Sequence, residues 1–284
     1  MIQSALISDI VRMALLEDLG PGDLTSHLVV DPNHLGRGRL IARERMVVSG
    51  LKAVAEVFRQ VDPSINFTPC ASDGYRLDPG EEIGHIDGTA ISILSAERVA
   101  LNFLMRLSGV ATLTARYVEA AGNPKVSLVD TRKTTPGLRL LEKEAVRHGG
   151  GRNHRFALYD GILIKDNHVA AAGSISNAVA KAKAKAPQTM KVEVEVDTLE
   201  QLKEALSAGA DIVMLDNMMP DLLRTAVKIV TEFHAPGPRT TLLEASGGIN
   251  LSTIWAVAQT GVDIISVGAL THSAPSIDIG LDWS

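Results

Sequence analysis

Val192-Glu193-Val194-Glu195-Val196-Asp197 alternates strictly between a β-branched apolar residue and an acid. A period of two is that of a strand, and it puts the valines on one face and Glu193, Glu195 and Asp197 on the other. The run leads into a helical stretch, Leu199–Ala208, then the turn Gly209-Ala210-Asp211 and a second apolar strand, Asp211–Leu215. Strand, helix and strand joined by short turns make a unit with parallel strands and a right-handed crossover. With the valines facing the helices, the acids face an interior. A carboxylate there must be paired, or must hold a ligand or cation.

The same beat extends in both directions. Val126–Asp130, Gly161–Lys165, Thr241–Glu244 and Asp263–Val267 read as further strands. Helices are expected over Gly137–His148, Ser174–Ala186, Leu222–Phe233 and Leu251–Thr260. Residues 122–271 are therefore expected to form a parallel α/β barrel. With six strands against the about eight of a complete barrel, an incomplete barrel and a closed one with further strands both stay open. Residues 1–121 lack this alternation. They offer a helix over Ile2–Glu17, a turn at Leu19–Asp23, short strands at Gly38–Arg43 and Glu82–Ile86, and a helix near Leu51–Val61. Helical spacing follows over Leu94–Ala121, with Gly109 as a break point. An N-terminal α+β sandwich domain is expected there, with the tail from about 272 to 284 returning to it.

Cys70 is the single cysteine, which excludes an intrachain disulfide and suits a cytoplasmic protein. The first residues read as an amphipathic helix rather than a signal peptide, and no apolar run is long enough to span a bilayer. A net charge of -5 argues against a nucleic-acid partner. Yet Arg132, Lys133, Arg139, Lys143, Arg147, Arg152, Arg155 and Lys165 crowd into one stretch. Lys143 and Arg147 read as a solvated helix face; the others fit a small anionic ligand.

Barrel chemistry sits at the C-terminal ends of the strands. Here those ends carry Thr131-Arg132-Lys133-Thr134, Lys165-Asp166-Asn167-His168, Asp216-Asn217, Ser246-Gly247-Gly248 and Gly268-Ala269-Leu270-Thr271-His272. The last two, rich in glycine, suit a phosphate. No Walker loop or G-x-G-x-x-G fingerprint is present. Gly149–Arg155 is a flexible loop ending in cationic donors, which match carboxylates. Glu195 and Asp216 suit ribose hydroxyls and a hydrated Mg²⁺, or a buried network with Lys165 and Lys191, and the two readings are compatible. His148, His154 and His168 lack zinc-ligand spacing.

Thr131–Arg139, Gly149–Arg155, Lys165–His168, Glu193–Asp197, Leu215–Asn217, Glu244–Ile249 and Ser266–Ser273 together resemble the quinolinate phosphoribosyltransferases. Glu17–Thr25 and Glu97–Asn102 extend the resemblance over nearly the whole chain. It implies that quinolinate and phosphoribosyl pyrophosphate (PRPP) give nicotinate mononucleotide, pyrophosphate and CO₂, in a homodimer with a shared site. By the resemblance, the catalytic residues are Lys133, Lys165, Glu195 and Asp216. Quinolinate would meet Thr131, Arg132, Lys133, His154, Arg155 and Lys165, with Arg98 from the partner. The phosphoribosyl group would meet Glu195, Asp216, Ser246, Gly247, Gly248, Gly268, Ala269 and His272. Mg²⁺ would have no direct protein ligand, being held by substrate and water near Glu195 and Asp216. Two rivals remain: a lyase with a Schiff base at Lys165, and a relative linked to molybdenum transport. Lys165-Asp166-Asn167-His168 argues against the second.

Overall fold

A computed structural model describes residues 2–283 of the 284. Met1 and Ser284, at the ends of the two expected terminal segments, lie outside them. In chain order the elements begin with α1 (Ile2–Leu19), α2 (Leu24–Val29), β1 (Leu35–Ala42), β2 (Met46–Val47), α3 (Leu51–Val61), β3 (Asn66–Pro69), β4 (Arg76–Leu77), β5 (Glu82–Thr89) and the long α4 (Ala90–Ala121). There follow β6 (Ser127–Val129), α5 (Arg139–His148), β7 (Ile162–Ile164), α6 (Asp166–Ala172), α7 (Ile175–Lys185), β8 (Val192–Val196), α8 (Leu199–Ser207) and β9 (Ile212–Asp216). The chain closes with α9 (Pro220–His234), β10 (Leu242–Ser246), α10 (Ile254–Ala258), β11 (Ile264–Ser266), α11 (Ala269–His272) and β12 (Ile279–Trp283).

Two compact units result. The first gathers the residues up to Ala115, Thr134–Gly150 and the chain from Leu270 onward. Its sheet has the order β12-β1-β5-β3, with antiparallel pairing that sets Leu40 opposite both Gly84 and Leu281. On α1, Ile7, Val11 and Leu15 recur at helical spacing and are buried, and α1 packs on α3. On α3, Val54, Val57 and Phe58 fill the same core.

Two expectations change here. The break at Gly109 does not occur, and α4 runs unbroken. A Cβ at Gly109 would lie 1.9 Å from the carbonyl oxygen of Pro275, so the glycine admits the returning tail rather than ending the helix. The boundary at Gly122 also shifts, because Thr134–Gly150 groups with the first unit rather than with the barrel. The cause is a buried carboxylate. Glu142 accepts from Arg106 Nη2 at 2.7 Å, from the Thr135 hydroxyl at 2.7 Å and from the Thr135 N–H at 3.0 Å. Arg106 also donates to Ala274 O at 2.7 Å and to Thr271 O, which ties α4, α5 and the tail together.

The second unit, Arg116–Lys133 with Gly151–Ala269, holds a parallel six-stranded sheet of order β6-β11-β10-β9-β8-β7. Val192, Val194 and Val196 are fully buried, as alternation requires for the helix-facing side. The edge strands β6 and β7 do not pair with each other. Gly151–Arg155 lies along β6 instead, with Arg152 N–H donating to Leu128 O at 2.8 Å and a single parallel bridge between Val129 and Arg152. No described helix is long and apolar enough to cross a membrane.

Gly109→Ala tests the tail contact. Helix propensity favours alanine by about 1 kcal/mol, whereas overpacking costs about 1–3 kcal/mol. Against a rigid carbonyl the cost should win, lowering stability by about 1–2 kcal/mol in urea denaturation. An unchanged or higher midpoint would mean that the tail does not press on the helix.

Candidate active site

The C-terminal ends of the parallel strands bring the expected acids and one lysine together. Lys165 follows β7 and caps α6, with its N–H donating to His168 Nδ1 at 3.0 Å. His168 is thus a helix-capping side chain. The Lys165 ammonium bonds to Glu195 Oε2, on the lumen face of β8. Asp216 ends β9, where burial, then the charges of Glu195 and Asp197, raise its pKa against the opposing pull of Lys165. An excess of negative charge therefore collects at this rim. Lys191, a possible partner for the acids, lines a cavity toward the other end of the strands.

Beside Asp216 the backbone bends sharply. Ser246 of β10 is in register with Asp216, and Asn217 N–H donates to Ser246 O at 2.8 Å. Gly247 and Gly248 follow at φ +89° and +64°, left-handed values that favour glycine. A Cβ on Gly247 would sit 2.2 Å from Asn217 Oδ1. Backbone amides can thus approach a ligand next to the carboxylates. Gly268 and Ala269 lie just beyond the neighbouring β11.

The cations come from the seam. Thr131 Oγ1 accepts the Lys133 N–H at 3.0 Å and folds the Thr131-Arg132-Lys133 turn. Asp130, fully buried at the end of β6, accepts from His154 N–H at 3.0 Å and from Asn153 Nδ2 at 2.6 Å. Arg155 donates from Nη1 to Gly161 O at 3.0 Å. Burial, then the charge of Arg132, lowers its pKa, so the two guanidiniums stand close enough to repel.

His154, expected to grip a substrate carboxylate, turns its ring toward protein groups. Nε2 lies 3.1 Å from Glu193 Oε2 and 3.5 Å from Glu244 Oε2, and Nδ1 accepts the Arg155 N–H at 2.8 Å. Burial opposes a charged ring, while the nearby carboxylates of Glu193 and Glu244 favour a proton on Nε2. Burial, reinforced by Glu244, raises the pKa of Glu193. A doubly protonated ring would set an N–H against the N–H of Arg155. The geometry therefore places the ring proton on Nε2 and the further proton that the cluster attracts on the carboxylates. These three side chains, with Arg155, Asn153 and Lys191, line a cavity of about 360 Å³.

The remaining expected residues lie in the first unit. Arg98 is exposed on α4, 4.0 Å from Glu97, and His272 Nδ1 sits 2.6 Å from Ser273 Oγ. Zinc spacing rules did not anticipate two groups whose potential ligand atoms fall within 4.8 Å of one another: Cys70, Glu82 and His85, and His154, Glu193 and Glu244. Glu82 and His85 share β5 with Cys70 beyond β3, whereas His154, Glu193 and Glu244 come from a loop, β8 and β10.

Two family models match this chain: the quinolinate phosphoribosyl transferase N-terminal domain over residues 23–108 and its C-terminal domain over 110–282. The chain belongs to that family. A protein of Bacillus subtilis (strain 168) named a probable nicotinate-nucleotide pyrophosphorylase (carboxylating) is 46% identical over 267 residues, covering 94% of this chain and 90% of that protein. Its namesake from Mycobacterium leprae is 42% identical over 277 residues, covering 96% of each. The structure of the nicotinate-nucleotide pyrophosphorylase from Francisella tularensis superposes with a TM-score of 0.93 at 42% identity, covering 99% of this chain and 97% of that one.

In this phosphoribosyl transferase fold the geometry adds residues to those expected from sequence. Asp130, Asn153 and Glu244 hold the cationic segment. Asp130 and Glu244 were visible as strand ends, but nothing in spacing names their partners.

Asp216 yields a stability prediction. Its folded pKa lies above the ordinary carboxylate value. Between the two values the folded protein binds more protons than the unfolded chain, so stability falls as pH rises through that window and stays lowered at neutral pH. Asp216→Asn should thus raise the neutral-pH melting temperature of the ligand-free protein by a few degrees at most, and have little effect in acid below both pKa values. A lower neutral-pH midpoint would show that hydrogen bonding to Asp216 outweighs the repulsion.

Proposed function

We propose that this protein converts quinolinate and PRPP to nicotinate mononucleotide, pyrophosphate and CO₂ in NAD biosynthesis. The observation that carries this reading is the setting of Lys165–Glu195 and Asp216 against Gly247 and Gly248 at one end of one parallel sheet. Carboxylates beside a left-handed glycine pair suit a ribose that bears a phosphate.

Arg132 and Arg155 hold the two carboxylates of quinolinate, with Lys165 nearby and Thr131 shaping the turn. Lys133 faces the pyrophosphate. Ser246, Gly247, Gly248, Gly268 and Ala269 take the 5′-phosphate, with His272 as a further donor. The bond from ribose C1 to pyrophosphate breaks as the pyridine nitrogen bonds to C1. Positive charge developing on the ribose is stabilised by Glu195 and Asp216. The ring nitrogen is then cationic, so its charge stabilises the electron pair left on the neighbouring carbon when the carboxyl group there departs as CO₂. A proton from solvent completes that carbon. Glu195 and Asp216 would stand near a magnesium ion held mainly by substrate and water, which would supply positive charge for the leaving pyrophosphate. Burial, then the charges of Glu195 and Asp197, raises the Asp216 pKa, and a cation there would relieve that charge.

A homodimer with a shared site is part of the reading, Arg98 coming from the second copy. Arg98 is mostly exposed and its ion pair to Glu97 is long, which leaves the guanidinium available. A single cysteine suits a cytoplasmic enzyme. The Schiff-base alternative at Lys165 is disfavoured, because an ammonium engaged with Glu195 is not a nucleophile.

The test is to incubate the protein with quinolinate, PRPP and Mg²⁺ and follow nicotinate mononucleotide and CO₂ together. Equal yields are expected, and no product from folded protein would overturn the assignment. Arg132→Ala should lower kcat/KM for quinolinate by about 100-fold or more with the fold intact. A near-normal value would remove Arg132 from the site.

A further inference from the structure

His154, Glu193 and Glu244 form a cluster that the reaction leaves unexplained. Glu193 and Glu244 are 5% and 1% exposed, and Glu193 Oε1 and both Glu244 oxygens have no hydrogen-bond partner among the described residues. Burying two carboxylates against one imidazole is a poor way to stabilise a fold, since buried polar groups left unsatisfied are destabilising.

A metal ion does not resolve the cluster. The Arg155 N–H occupies the lone pair of Nδ1, so the ring proton sits on Nε2, the atom that a cation would need. The geometry instead forms a chain of contacts. The carboxylates meet Nε2–H, Nδ1 accepts the Arg155 N–H, and Arg155 carries a guanidinium that donates to Gly161 O and feels the charge of Arg132.

The backbone explains why such a chain is needed. Gly151–Arg155 occupies the place of a strand but has one isolated bridge in place of a ladder. Asp130 holds it from β6 by the His154 N–H and the Asn153 amide. The His154 ring holds it from the lumen, reaching acids on β8 and β10.

We propose that Glu193 and Glu244 are positioning residues for quinolinate binding: they fix the His154 ring, and through Nδ1 and the Arg155 N–H they fix the backbone that aims the Arg155 guanidinium. This rests on the reading of Arg155 as a quinolinate ligand.

The test compares Glu193→Leu, Glu244→Leu and Glu193→Gln in the full chain. A role confined to stability predicts that the leucine variants melt earlier with unchanged kinetics. Positioning predicts the reverse. Melting is not lowered, because leucine removes a buried charge. The quinolinate KM rises roughly tenfold or more while the PRPP KM stays within about twofold. Glu193→Gln restores most of the loss, because its amide oxygen still accepts from Nε2–H.

A second readout needs no turnover. In ¹⁵N-histidine-labelled protein the His154 ring should show a proton on Nε2 and an acceptor Nδ1, a pattern kept in Glu193→Gln and lost in the leucine variants. A wild-type ring protonated on Nδ1 would overturn the proposal, as would leucine variants with a quinolinate KM within about twofold of wild type. A leucine variant that fails to fold passes the decision to Glu193→Gln: retained quinolinate KM with the Nε2–H pattern supports the proposal, and a raised KM with that pattern intact overturns it. Wild-type protein that forms no product would strike the functional reading alone, leaving the imidazole spectrum to decide whether the acids hold the ring.

Discussion

The edge of a parallel sheet must be met by something, and here β6 is met by a segment that is not a strand. Gly151–Arg155 lies beside Val129 with too few backbone bonds to hold it. Ordinary hydrogen bonds contribute about 1 kcal/mol each, and those to a carboxylate about 1.5–3 kcal/mol. The segment accordingly relies on a buried acid, Asp130, which takes one backbone and one side-chain donor from it. Those donors stabilise the buried Asp130 carboxylate in return. Seam and acid therefore need each other, and the direction of Arg155 follows from both.

How much of this was legible in the sequence depends on the range of the interaction. The six parallel strands were readable, because period-two alternation and Gly-Ala-Asp turns are local signals. The pairing of Lys165 with Glu195 was readable too, since two lumen-facing charges on adjacent strands have few other partners. The inward turn of His154 was not readable. Its partners sit on β8 and β10, and Leu242-Leu243-Glu244 shows no alternation that would place Glu244 on the lumen face. The edge strand β12 and the short β3 carry no pattern of their own and exist because β1 and β5 offer them open edges.

Gly109 and α5 show the opposite failure, a local signal overruled by tertiary context. A glycine within a helical run reads as a break, yet a returning carbonyl required its missing Cβ. Arg139–His148 reads as a barrel helix because it falls between two barrel strands. Its position is settled by Glu142, whose buried carboxylate finds its donors in Arg106 and Thr135.

Like charges are held together at both ends of this arrangement. Burial, then the charge of Arg132, lowers the Arg155 pKa, and burial, then Glu195 and Asp197, raises that of Asp216. Neither set is the most stable choice for an empty protein, and each is relieved by a different charge: the guanidiniums by an anion, the carboxylates by a cation or a cationic carbon. A ligand that brings both satisfies the two ends at once, without rearranging either. The strain of the ligand-free state is thus the complement of the charge separation that the proposed reaction develops, and the rigid strands and the seam keep that strain from relaxing beforehand.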